Sequence, residues 1–166
     1  MRSFVAALLL LSQAKENPRF EAWKNFKAGS WVKMKVETIE DGEKVLSEET
    51  ETVVSIAATK IMVERKSTTN FDGKPFTTTE KEEIEPTSAA ITKVEKGNDE
   101  EIEVAGKKLS CRVVLVTKKP VDSSGEIRHK LWMNGDVPGG MARSESTSLR
   151  TNRTVATAVA IGWEKK

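Results

Sequence analysis

Residues 31–42 read Trp-Val-Lys-Met-Lys-Val-Glu-Thr-Ile-Glu-Asp-Gly, and this stretch decides the fold. Val32, Met34 and Val36 alternate with Lys33, Lys35 and Glu37. Successive side chains on a strand point to opposite faces, so a period of two marks a strand with one apolar and one wetted face. Asp41-Gly42 then supplies a two-residue hairpin turn.

Downstream the same grammar repeats. Lys44 to Ala58 and Thr59 to Thr69 read as strands, with Ile61 and Val63 in phase. Asp72-Gly73 marks a second turn before a mostly polar strand, Phe76 to Ile84. Glu85 to Ala90 reads as a loop and Ile91 to Glu95 as a short strand. Glu100 to Ala105, Gly106-Lys107 and Leu109 to Lys118 form a hairpin, with Leu109, Cys111, Val113 and Leu115 in one phase. Pro120 to Gly125 is a turn region. Ile127, His129, Leu131 and Met133 share the inward phase of the next strand. Asn134-Gly135 and Pro138-Gly139-Gly140 break the chain before Met141 to Ser148 and Arg153 to Trp163. Short connections between successive strands favour an antiparallel meander, and eight to ten twisted strands curl rather than stay flat.

Upstream, one helix is expected. Asn17 caps it, Pro18 suits its first turn, and Gly29 ends it. Phe20, Trp23 and Phe26 recur every three residues, which gives the helix an aromatic face to lay on the sheet. The fold class is therefore mainly β (α+β): a curled antiparallel meander or half-barrel with one N-terminal helix on its concave face.

Residues 1–14 carry a different signal. Met1-Arg2 is a short positive start, Phe4 to Leu11 is an apolar run, and Ser12-Gln13-Ala14 offers small residues for cleavage after Ala14. The run is too short to span a bilayer, which needs about 20 residues. The rival readings are a helix packed on the domain and an uncleaved anchor. An export signal over 1–14 and a single β-rich domain over 15–166 are expected, working in the periplasm or outside the cell, with no transmembrane span in the mature chain.

Composition narrows the function classes. The 166 residues hold 27 Lys+Arg and 25 Asp+Glu, a balance that does not point to nucleic acid. One cysteine excludes an internal disulfide and a multi-cysteine zinc site, and one histidine removes most metal-centre arrangements. No cofactor and no metal are expected. Cys111 and His129 are the one pair with nucleophile chemistry, both in apolar phases of neighbouring strands. No strained nucleophile turn or glycine-rich oxyanion loop accompanies them, so a buried structural cysteine and no enzymatic activity are the expectation. Adjacent acidic pairs such as Glu48-Glu49 and Glu82-Glu83 point to opposite faces and make no catalytic dyad. Asn134 to Gly140 lacks the order of a phosphate loop and reads as a strand connection. Trp132, out of phase with Leu131 and Met133, is expected on the outer face or at a rim.

Three segments also carry a resemblance: Phe-Lys-Ala-Gly-Ser-Trp-Val at 26–32, Val-Ala-Gly-Lys-Lys-Leu-Ser-Cys at 104–111, and Leu-Trp-Met-Asn-Gly-Asp-Val-Pro-Gly-Gly-Met at 131–141. With the export signal they resemble a group of uncharacterised secreted bacterial β-rich proteins, for which no catalytic residue carries over. More distantly, the layout is similar to the half-barrel of periplasmic lipoprotein carriers, an analogy of fold alone. The leading functional expectation is a non-enzymatic domain that binds an apolar or amphipathic small molecule or lipid on its concave face. Trp23, Phe26, Met34, Leu115, His129 and Met133 are the candidate lining residues. The alternative is a structural or interaction domain of the cell envelope, with a filled core and a protein partner.

Overall fold

The computed structural model describes residues 14–120 and 125–166; the expected export signal up to Gln13 and residues 121–124 of the expected turn lie outside the described residues. Lys15–Glu16 forms β1 and Pro18–Trp23 forms α1. The first meander is β2 (Trp31–Glu40), β3 (Glu43–Ile56), β4 (Ile61–Phe71) and β5 (Lys74–Ile84). Then follow β6 (Thr87–Ser88), β7 (Ile91–Lys96), β8 (Glu100–Val104), β9 (Lys107–Lys118), β10 (Ile127–Met133), β11 (Met141–Ser148) and β12 (Arg153–Glu164). Asp41-Gly42 and Asp72-Gly73 adopt φ of +49° and +85°, and +49° and +75°, the paired positive angles of tight hairpin turns.

All pairings are antiparallel. The main sheet has ten strands in the order β5-β4-β3-β2-β12-β11-β10-β9-β7, with β8 paired to the far half of β9. Its two meanders join where β12 pairs with β2. The edge strands β5 and β7 do not pair, so the sheet is not closed into a barrel. It must nevertheless curl. Eight flat spacings of about 4.8 Å would hold β5 and β7 about 38 Å apart. The six residues from Glu85 to Ala90 that connect them reach at most about 25 Å. In that connection β6 pairs with β1, and Asn17 N–H donates to Pro86 O at 2.8 Å. The N-terminal segment is thereby fixed beside the open edges.

The helix is shorter than its aromatic spacing predicts. It ends at Trp23, and Phe26 lies in the following turn, its N–H bonded to Trp23 O at 3.0 Å. A strict three-residue spacing drifts around a helix of 3.6 residues per turn, so the three rings do not share one stripe. Trp23 and Phe26 still meet edge to face at 6.2 Å. Asn17 caps as expected, accepting from Arg19 N at 3.1 Å. Six residues are too few for an independent helix; tertiary contacts hold this one. Phe20 and Trp23 are buried, and Ala22 packs beside Met133 and Leu131.

The Pro138-Gly139-Gly140 loop closes over α1 from the other side. A Cβ at Gly139 would stand 2.6 Å from Trp23 Cε2, and Gly139 sits at φ +73°. Only glycine fits both demands. Gly139→Ala is expected to cost about 2–3 kcal/mol, from left-handed strain and overpacking together. Urea unfolding checks this; a loss below about 1 kcal/mol would show that the loop yields freely.

Candidate functional site

Register assigns the faces. Residues directly opposite in an antiparallel pair share a face. His129 pairs with Val116 on β9 and Ser146 on β11, and Leu131 with Val114 and Ser144. Ser144 pairs with Ala158, Ala158 with Val36, and Ala160 with Met34. Met34 pairs with Glu49, Val32 with Glu51, and Glu51 with Arg65. One continuous face therefore carries His129, Ser144, Met34, Glu51 and Arg65. It is the face on which α1 lies, because Arg19 of α1 binds Glu51 and Glu82 there.

Between α1 and this face lies a cavity of about 390 Å³. The alanines of β12 leave room for it, since Ala158 and Ala160 fill little of the space between β2 and β11. Asn17 to Arg19 and Pro138-Gly139 form part of its wall. Val32, Met34, Val116, Leu131, Met133 and Met141 supply an apolar lining. Methionines suit a site that must accommodate variable apolar shapes, because the unbranched thioether adapts.

Part of the wall is an alternating charge network. Arg19 donates to Glu51 and Glu82 at 2.6 Å each; Arg65 donates to Glu51 at 2.8 Å and to Glu82 at 3.0 Å. Glu49 lies 3.8 Å from Arg65. Burial works against the charge of Glu51, but the two guanidiniums outweigh it and hold its carboxyl below the usual range. Burial pushes the Glu49 carboxyl the other way, upward. Both guanidiniums are engaged by carboxylates.

Lys118, His129, Ser144 and Ser146 also line the cavity, with Lys118 near enough to the network to feel Arg19, Glu82 and Arg65. His129 Nδ1 and Ser146 Oγ are 2.8 Å apart. Burial, then repulsion from Lys118, lowers the His129 pKa to about 4, so the imidazole is neutral at pH 7. The sign follows from linkage. The unfolded imidazole, near 6.5, binds a proton that the folded one refuses. The stabilisation is complete above about pH 6.5 and is lost as pH falls toward 4. His129→Gln is expected to flatten the stability curve in that window. A curve unchanged between pH 4 and 6.5 would place the titration elsewhere.

Of the six candidate lining residues, Met34, His129 and Met133 line the cavity. Trp23 does not: it is fully buried behind Gly139. Phe26 faces a second, more open depression of about 500 Å³ beside Cys111 and Asn134. Leu115 lies on the opposite face, paired with Lys130, because β9 is apolar on both sides and its Val114 and Val116 take the cavity side. The same register separates Cys111 from His129. They occupy opposite faces, and the five residue steps along β9 from Cys111 to Val116, the partner of His129, span about 16 Å. Burial, then the Glu100 charge, pushes the Cys111 thiol up, against thiolate formation.

Trp132 is on the face its phase predicts, but it is buried rather than exposed. Its indole N–H donates to Glu100 of β8 at 2.7 Å, and Lys130 and Arg143 stand over its ring at 4.4 and 4.8 Å. No tryptophan lines the cavity.

The residues missed by sequence reading are Arg19, Glu49, Glu51, Arg65 and Glu82. Their signal was legible: Glu51 falls in phase with Val53, Arg65 with Val63, and Glu82 with Ile84. Charges of alternating sign entered the apolar phase of three adjacent strands.

Fold and cavity together define an open, curled antiparallel sheet with a short helix across one face. No protein-family model matches the chain, and no curated protein matches it. It is similar to a solved chain from Bacteroides fragilis described as a "putative exported protein with YmcC-like fold". The likeness covers 84% of this chain and 97% of that one, at 9% identity and a TM-score of 0.48.

Proposed function

We propose that the protein is a non-enzymatic binding domain, exported from the cytoplasm, whose cavity under α1 holds a small amphipathic molecule. The cavity of about 390 Å³ carries this reading. It lies at the small end of the range for ligand sites, about 300–1,000 Å³, and combines an apolar lining with a few polar groups. Cleavage after Ala14 would leave a chain starting at Lys15, the first residue of β1. Among the described residues no helix is long and apolar enough to cross a membrane.

Native mass spectrometry tests both parts on protein exported with its own leader and purified without detergent. The expected result is a chain starting at Lys15 with an adduct of a few hundred daltons, roughly the mass class such a cavity admits. A bare chain that also yields no lipid on extraction would overturn the ligand reading.

A second reading, an interaction domain of the cell envelope, is favoured by a separate observation. Phe71 and Phe76 are 58% and 59% exposed on the β4–β5 hairpin. Capture of the same envelope protein by the wild type but not by a Phe71→Ser/Phe76→Ser variant would support it; equal capture by both would not.

A further inference from the structure

The cavity face grades from polar to apolar along three neighbouring strands. On β9 the order is Lys118, Val116, Val114; on β10 it is His129, Leu131, Met133; on β11 it is Ser146, Ser144, then Met141. His129 and Ser146 share one row with Val116, Lys118 stands one step beyond it, level with Ile127, and the apolar ends lie about 13 Å further along the strands. A gradient of this kind does not serve packing alone, which would favour apolar side chains along its whole length.

The cavity's two sets of polar side chains differ in what they offer a ligand. Arg19 and Arg65 already face Glu51 and Glu82, so no cation there is free for an incoming anion. Lys118 stands at the rim with no carboxylate at ion-pair distance among the described residues. Burial, then repulsion from Arg19 and Arg65, lowers its affinity for its proton, with Glu82 acting the other way. Beside it, His129 Nε2 has no partner among the described residues, and the Ser146 hydroxyl meets Nδ1. An anion placed among these side chains would meet a positive charge and neutral hydrogen-bonding groups.

We infer that the ligand is a single-chain amphiphile with a monoanionic head group of the carboxylate class. Its head lies on the Lys118, His129 and Ser146 cluster and its chain lies on Leu131, Met133 and Met141. This rests on the cavity being a ligand site, and it adds the ligand's charge, chain number and direction. A cavity of about 390 Å³ leaves room for one chain.

Calorimetric titration of the full chain, exported with its own leader and stripped of lipid, tests the inference. The probes are decanoate, decan-1-ol and decyltrimethylammonium at pH 7.5. Decanoate is expected to bind, and decanol to bind about tenfold more weakly, the effect of one charge-assisted hydrogen bond. Lys118→Gln is expected to weaken decanoate about tenfold and leave decanol unchanged, while Lys118→Arg keeps most of the affinity. Equal binding of decanoate and decanol, or no effect of Lys118→Gln, would overturn the head-group assignment while leaving a chain-binding cavity. A preference for decyltrimethylammonium would also overturn it and point to Glu49. Failure of all three probes would defeat the ligand-site reading itself, and this inference with it.

Discussion

Trp23→Ala is expected to lower the unfolding free energy by about 4 kcal/mol, within the 3–5 kcal/mol typical of a fully buried tryptophan. The indole occupies the space between α1 and the Pro138-Gly139-Gly140 loop, with Phe26 against its edge. Its removal leaves a void that the loop fills incompletely. The six-residue helix also loses a main anchor and has little stability of its own. Against a total of about 5–15 kcal/mol for a domain, such a loss leaves a marginal fold. Urea unfolding measures it; a loss under about 1.5 kcal/mol would show that the helix contributes little.

A double-mutant cycle sharpens the test. The clash expected in Gly139→Ala is with Trp23 Cε2, Cζ2 and Nε1, at 2.6–2.8 Å. In a Trp23→Ala background that clash disappears and only the positive-φ strain remains. The cost of Gly139→Ala should then fall to about 1–2 kcal/mol. Full additivity would mean that the two residues are not coupled through this contact.

The second large effect is expected from Glu51→Gln, about 3 kcal/mol. Breaking a buried ion pair by removing one partner typically costs 3–5 kcal/mol. The lower end applies because Arg19 and Arg65 keep 26% and 33% of their side chains exposed, and Glu82 still faces both. The effect is larger than for a surface pair, near 0–1 kcal/mol, because Glu51 itself is buried and serves both guanidiniums. Its pH dependence has a definite sign. The folded carboxyl is held below the usual value, so its contribution is complete above about pH 4.3 and is lost as pH falls through the folded value. Glu51→Gln should therefore lose stability at pH 7 and converge with the wild type in acid. A constant difference down to pH 2 would mean that the carboxylate charge is not what matters.

The network also explains how the helix is seated. Asn17 fixes the start of α1 to the Glu85–Pro86 connection, donating from Nδ2 to Glu85 O at 3.2 Å. Arg19 then fixes the first turn to β3 and β5, and Trp23 fixes the last turn to the loop before β11. Three anchors on three parts of the curled sheet hold a segment that would not be helical alone.

Much of this was legible in the sequence. Period-two alternation from Trp31 and the Asp-Gly turns determined the antiparallel strands, their order along the chain and the hairpins between them. Asn17-Pro18 determined where the helix starts. The two-residue strands β1 and β6 were not legible, because two residues carry no periodicity. The end of the helix at Trp23 was hidden by aromatics that continue past it to Phe26.

What the sequence could not decide was which phase of one strand meets which phase of the next. Leu109, Cys111, Val113 and Leu115 are in phase with one another, as are His129, Leu131 and Met133, yet the two sets occupy opposite faces. Shifting a strand by one residue exchanges its faces without changing its pattern, and β9, apolar on both sides, gives no local sign of the choice. Only the tertiary pairing set that register. It placed Lys118 and His129 on one face, took Leu115 and Cys111 away from the cavity, and drew Arg19, Glu51, Arg65 and Glu82 together from positions up to 63 residues apart.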